Sequence, residues 1–182
     1  MKWENNEDSE YVLSRLDADR NVTNFFYPPS VASSDENICP CNWHVSTDED
    51  WKTLERHLGI AESDLESTHH LRGIAAELAD KVMANDWSDY YPTNFTDVTT
   101  SNASKFSAYP TGGIDWDYES DYYFSINADD VGIWYSISDE ARASNLFSRA
   151  IAPNGNGVYD GSAIHRGRSG YGSHLPIRCV KD

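Results

Sequence analysis

The stretch from Ser46 to Gly59, STDEDWKTLERHLG, constrains the fold more than any other part of the chain. Ser46-Thr47-Asp48-Glu49 fits a capping box, in which a hydroxyl takes an orphan helix amide and a carboxylate reaches back. Trp51, Leu54 and Leu58 follow at i, i+3 and i+7, one face of a helix. Gly59 then stands where a left-handed C-terminal residue belongs. The pattern predicts a core helix. A second helix is predicted over 68–84, where Leu71, Ile74, Ala75, Leu78 and Val82 recur at helical spacing.

Around these helices the signals are those of strands and loops. Tyr11, Val12 and Leu16 fit a short helical or strand segment, and residues 24–31 read as a strand stopped by Pro28-Pro29. From Asn85 to Asp130 Trp, Tyr, Thr, Ser, Asn and Gly dominate, with short strands expected at 105–110 and 121–126. Further strands are predicted at 132–137, 145–151, 163–166 and 175–180. Two early helices followed by many short strands and long loops make an α+β domain, with Trp43, Trp51, Leu54, Leu58, Phe106 and Trp134 as its core.

A length of 182 residues favours one domain, and 13% aromatic residues argue for a folded chain despite a net charge of −16. That charge argues against a nucleic-acid backbone as partner, since phosphate neutralisation needs a Lys/Arg surface. No run approaches the ~18 apolar residues of a membrane span, and MKWENNEDSE is not a signal peptide. Cys39, Cys41 and Cys179 are too few for a disulfide scaffold and lack a fourth zinc ligand. Asp115, Asp117, Glu119, Asp121, Asp129 and Asp130 have no EF-hand spacing and read as a solvated acidic face. His44 and His57 read as half-buried packing residues, and His69-His70 as a solvated pair. No cofactor or metal is expected. The chain contains no G-x-S-x-G, Walker or H-E-x-x-H motif, so an enzyme is not expected either.

The C-terminal quarter differs in kind from the rest. Residues 1–134 carry 16 Asp and 10 Glu against 4 Lys and 4 Arg, a balance of −18, whereas residues 135–182 balance at +2. Between Tyr135 and Pro176 there is no Lys, Gln, Met or Trp and a single Glu, Glu140, where the composition of residues 1–134 would give about seven such residues. Ser, Gly, Asn, Ala, Arg, Ile, Tyr, Asp and His fill the stretch. These are reachable from an Asn codon when its adenines change and its final pyrimidine is kept. Lys, Gln, Glu, Met and Trp codons all end in a purine. A Gly/Ser/Asn-rich surface loop is the plainer source of the same composition.

Motifs add a resemblance. Cys39-Pro40-x-x-Trp43-His44-Val45-x-Thr47-Asp48-x-x-Trp51-x-x-Leu54 resembles the opening signature of the Fibrobacter succinogenes major paralogous domain family. Phe106-Ser107-Ala108-Tyr109-Pro110-x-Gly112-Gly113, Trp134 to Ile137, and the closing Ile177-Arg178-Cys179-Val180-Lys181-Asp182 are similar to three further landmarks of that family, in order. The likeness covers about residues 24–182 and implies a C-type-lectin-like fold, whose terminal strands pair and whose irregular half carries the ligand surface. Both end motifs of the family carry a strand-like run around a single Cys, so the resemblance implies that Cys39 and Cys179 are neighbours, bonded or not. Where the family has W-S-S-T and K-S-x-G-F-S-V-R, this chain has Trp134-Tyr135-Ser136-Ile137 and Tyr171-Gly172-Ser173-His174-Leu175-Pro176-Ile177-Arg178. Trp134, Arg166, Ile177, Arg178 and Cys179 stay as frame, with Arg166 and Arg178 expected to pair with the acidic body.

Many proteins of that fold are variable proteins of diversity-generating retroelements, in which adenines of a C-terminal region are randomised. The resemblance therefore implies a ligand-binding protein diversified over 134–182, behind an N-terminal extension of residues 1–23. The expected binding residues are Tyr135, Ile137, Asp139, Arg142, Asn145, Ser148, His165, Gly167, Arg168, Ser169, Tyr171 and His174, together on one exposed face. Tyr135, Tyr159 and Tyr171 would supply rigid contact area, and Arg142, Arg149, Arg166 and Arg168 a relative positive charge. The expected partner is a protein or glycan ligand, and the expected state a monomer that is cell-surface, secreted or virion-associated. The alternative is an ordinary adhesion or carbohydrate-binding module of the same family. The E-P-N and Q-P-D triplets of calcium-dependent lectins are absent, which lowers sugar recognition through calcium. Formylglycine-generating oxidases share the fold but need a reactive cysteine pair placed together.

Overall fold

The computed structural model describes residues 13–16, 22–68, 104–108, 111–117, 122–126, 132–136, 146–152, 163–169 and 173–182. Over these the chain is α+β: β1 (Leu13–Leu16), β2 (Val22–Phe26), α1 (Pro29–Ala32), β3 (Trp43–Val45), α2 (Asp48–His57), α3 (Glu62–Leu65), β4 (Gly113–Asp117), β5 (Tyr122–Ile126), β6 (Gly132–Ser136), β7 (Phe147–Ala152), β8 (Ala163–Arg168) and β9 (Cys179–Lys181). The strands form the pairs β1-β2, β3-β9 and β4-β5 and the three-stranded sheet β6-β7-β8, all antiparallel.

Helix α2 forms where the sequence predicts it, with one adjustment at the cap. Thr47 is the cap residue: its Oγ1 accepts from the Asp50 amide at 3.1 Å, and Asp50 Oδ2 accepts from the Thr47 amide at 2.8 Å. The reciprocating carboxylate is thus Asp50, and Ser46 is left for the interior. There Ser46 Oγ accepts from Trp51 Nε1 at 3.1 Å and donates to the Tyr135 carbonyl at 3.2 Å. Gly59 ends the helix region with φ 97°, as its position predicts.

Two apolar clusters lie on opposite faces of the β6-β7-β8 sheet. Trp51, Ala108, Ile151 and Ile164 form one, with Leu54, Leu58 and Phe106 packed against it. Ala32, Tyr135, Leu146 and Leu175 form the other, with Ala150 and Ile177 alongside. Ile151 and Ala150 are successive on β7 and so point to opposite faces. The segment 173–178 links the pieces. His174 exchanges backbone bonds with Ile114, Leu175 with Tyr27, and the Pro176 and Arg178 carbonyls accept from the Tyr135 and Ser46 amides. The ribbon β3-β9 pairs Val45 with Cys179, and a Cys39–Cys179 disulfide (Cα–Cα 5.8 Å) closes it. Cys41 is free and exposed.

Several expectations need correction. Trp43 is 38% exposed, on a ribbon that among the described residues has only the two strands β3 and β9. The strand expected at 105–110 does not form where it is described: Lys105 and Ser107 have φ 60° and 55°, incompatible with extended backbone. Of 175–180 only its end is strand, since Leu175, Pro176 and Arg178 bond instead to Tyr27, Tyr135 and Ser46, in three separate parts of the chain. Residues 24–31 divide into the end of β2 and α1, with Pro29 in the first helical turn, where a missing N–H costs nothing. His57 is exposed. The second predicted helix, beyond Thr68, and His69-His70 lie outside the described residues, as does the side chain of Trp134.

Candidate functional site

The sheet that carries the candidate residues is anchored by an ionic frame. On β7 and β8 the register sets Arg149 directly opposite Arg166, a pairing of like charges that repels unless an anion intervenes. Asp48, at the start of α2, is that anion. Its Oδ1 accepts from Arg149 Nη1 at 2.8 Å and from Arg166 Nε at 3.0 Å, and its Oδ2 from Arg166 Nη2 at 2.7 Å. One helical turn pair further, Glu55 Oε1 accepts from Arg149 Nε at 2.6 Å, and Ser136 Oγ accepts from Arg149 Nη1 at 3.1 Å. Arg166 also donates to the Glu66 carbonyl at 2.9 Å, and Lys52 Nζ lies 3.1 Å from Asp48 Oδ2.

Burial alone would push the Asp48 carboxyl up, but the Arg166, Arg149 and Lys52 cations hold it well below the usual carboxylate range. Burial would lower the ionisation of Arg166 and Lys52, and their carboxylate partners hold both raised. Arg149 is 0% exposed, so it belongs to the frame rather than to the positive surface first expected of it. Arg166 is buried as well, which removes it from the expected positive surface and leaves it the frame role also foreseen for it. Phe147 lies under both Arg166 and Arg168, with guanidinium carbons 3.7 and 5.4 Å from its ring centroid. Arg178 stacks over Phe106 at 4.3 Å and donates to the Phe106 carbonyl.

The twelve candidate binding residues divide into three groups. Arg168 is exposed, and Ser148 and His165 are half-buried. Ser148 faces Gly167 across β7-β8, and a Cβ on Gly167 would come 2.9 Å from His165 Cε1, so these three form one small patch. Arg168 pairs with Phe147 and by alternation belongs to the other face. Tyr135, Gly167, Ser169 and His174 are buried, contrary to the expected exposed face. The reason is local: Tyr135 packs in the second apolar cluster and donates its hydroxyl to the Ser173 carbonyl at 2.5 Å, while His174 (1% exposed) sits in the central segment bonded to Ile114. Ser169 is held by its amide on the Leu146 carbonyl at 2.8 Å. Ile137, Asp139, Arg142, Asn145 and Tyr171 lie outside the described residues, as does Tyr159.

The frame carboxylates were the residues that pattern-reading passed over. Asp48, Trp51, Lys52 and Glu55 make the buried stripe of α2 at i, i+3, i+4 and i+7. Acidic residues in phase with a core Trp, together with Arg149 in phase with Phe147 and Ile151 on a strand, were the available signal.

Comparison with known proteins gives one positive result. The family model described as the Fibrobacter succinogenes major domain matches residues 1–181. No curated protein and no solved structure matches the chain.

Proposed function

From the premise that the chain belongs to the Fibrobacter succinogenes major domain family, we propose that it is a ligand-binding protein with a C-type-lectin-like fold whose C-terminal surface is diversified by a retroelement. On this reading it is a binder and not an enzyme, and its partner is a protein or glycan. The observation that carries the proposal is a division of labour within β7 and β8. Arg149, Ile151, Ile164 and Arg166 are buried and tied to α2, whereas Ser148, His165 and Arg168 between and beyond them reach solvent. Arg168, the exposed one of the three, should tolerate change at a cost within about ±0.5 kcal/mol, whereas Ser148 and His165 are half-buried on the opposite face. The pairing of β3 with β9 supports the lectin-like topology, and the depletion over 135–176 of Lys, Gln, Glu, Met and Trp, residues whose codons all end in a purine, supports diversification.

A second reading, an ordinary non-diversified adhesion or carbohydrate module, is favoured by the burial of Tyr135, Ser169 and His174. A displayed library separates the two. Ser148, His165 and Arg168 are varied with Ile137, Asp139, Arg142, Asn145 and Tyr171, and selected on immobilised hen lysozyme. The proposal expects most members to keep a cooperative melt and specific binders to emerge through these positions. A library that mostly fails to fold, or that yields binders only through changes elsewhere, supports the ordinary module.

A further inference from the structure

A groove of about 540 Å³ runs between α2, the β3-β9 ribbon and the loop at Phe106, and none of the described residues lining it belongs to the sheet β6-β7-β8. That volume suits a small organic ligand. Its inner surface is apolar: Trp51 and Phe106, with ring centroids 5.1 Å apart, Leu54, Val180 and the exposed indole of Trp43. Trp43 lines the groove and is 38% exposed, so part of its flat ring is open to solvent. Lys105 and Ser107 bracket Phe106 in left-handed backbone that non-glycine residues rarely adopt, and this local conformation goes with Phe106 turned onto Trp51.

The charges of the groove oppose those of the protein. In a chain of net charge −16, the described residues that line it include Lys105, Arg178 and Lys181 against one carboxylate, Asp50. Asp50 Oδ2 is already taken by the Thr47 amide, the Thr47 hydroxyl and His44 Nε2, at 2.8, 2.6 and 2.9 Å. Lys105 and Lys181 are exposed, and neither ammonium pairs with a carboxylate among the described residues. A local excess of cations in an acidic protein draws anions, and an apolar floor selects those with a flat hydrocarbon body. We infer that this groove is a second binding site, for a small aromatic anion such as an aryl carboxylate or sulfonate. The ring stacks on Trp43 and the apolar floor, and the anionic group faces Lys105 and Lys181.

The test uses 8-anilinonaphthalene-1-sulfonate as the anionic probe and N-phenyl-1-naphthylamine as its uncharged counterpart, titrated by fluorescence into the full chain. The site predicts saturable one-to-one binding of the sulfonate that weakens with salt. Lys105→Glu with Lys181→Glu should weaken the sulfonate at least about tenfold, equivalent to about 1.4 kcal/mol, and change the neutral probe by less than about twofold. Thr53→Trp, which fills the groove from the exposed side of α2, should abolish both. Circular dichroism melts check that each variant is folded. Sulfonate binding that is non-saturable, or unchanged in both folded variants, overturns the inference. Equal weakening of the charged and neutral probes by the double charge reversal also overturns it, since the lysines would then not be reading charge.

Discussion

Replacing Asp48 by Ala should be among the most damaging single changes available to this chain. Asp48 receives three hydrogen bonds from the two guanidiniums at 2.7 to 3.0 Å and lies 3.1 Å from the Lys52 ammonium. Charge-assisted bonds contribute ~1.5–3 kcal/mol each, so losing four sets a ceiling of about 6–12 kcal/mol. The loss falls short of that ceiling, because Glu55 still holds Arg149 and the Glu66 carbonyl still holds Arg166. The burial cost of the carboxylate itself also disappears. The net effect expected is about 3–5 kcal/mol, the range for breaking a buried pair and leaving its cations uncompensated. For a chain of this length that is a fall in Tm of about 6–20 °C. Urea unfolding followed by Trp fluorescence, with an unchanged m-value, measures it directly. Replacing Asp48, Glu55, Arg149 and Arg166 together by apolar residues of similar volume should recover much of the loss, since Glu55 is then not left buried without Arg149. A loss below about 1 kcal/mol for Asp48→Ala would refute the frame. The same ion set dictates an acid limb. The Asp48 pKa is depressed from 3.8, so its contribution is present above that value and fades as pH falls toward the folded pKa.

Three further outcomes follow from the same contacts. Trp51→Ala should cost about 3–5 kcal/mol in the same unfolding assay, since it empties the first apolar cluster. Cys39→Ser should cost about 2–5 kcal/mol, because the bond spans 140 residues, and adding dithiothreitol to the parent protein should produce a similar drop. His44 bridges Asp182 at 2.6 Å and Asp50 at 2.9 Å, and hydrogen bonds to these carboxylates, Asp182 first, raise its pKa above 6.5. Its stabilisation is therefore full below pH 6.5 and lost as pH rises through the raised value, by no more than about 1 kcal/mol for half-exposed pairs. Denaturation midpoints of the parent and of His44→Ala at pH 5.5 and 9 should converge at the higher pH.

What the sequence made legible, and what it did not, follows physical lines. Helix α2 was readable because capping, apolar spacing and Gly59 all act within one short segment. Strands β5, β6, β7 and β8 were placed to within one or two residues by β-branched and aromatic runs. The short helix α3 and strand β4 carry no comparable local signal and went unread. The candidate surface fared worse for a specific reason. Exposure of Tyr135 and His174 is decided by the segment 173–178 crossing the second apolar cluster, a contact between residues far apart in the chain. Arg149 misled because arginine usually signals surface, and its cost of burial is met by Asp48 and Glu55 from a distant helix.

Sequencing the genomic region around the coding segment in many isolates tests diversification most directly. The account predicts a reverse-transcriptase gene nearby and a near-repeat of the segment encoding residues 135–180 that differs from it at adenines alone. It also predicts that isolates differ at codons such as those of Ser148, His165 and Arg168 and agree at those of Asp48, Glu55, Arg149 and Arg166. A locus with no such repeat, or isolates that vary as much in the buried frame as on the candidate surface, would contradict it.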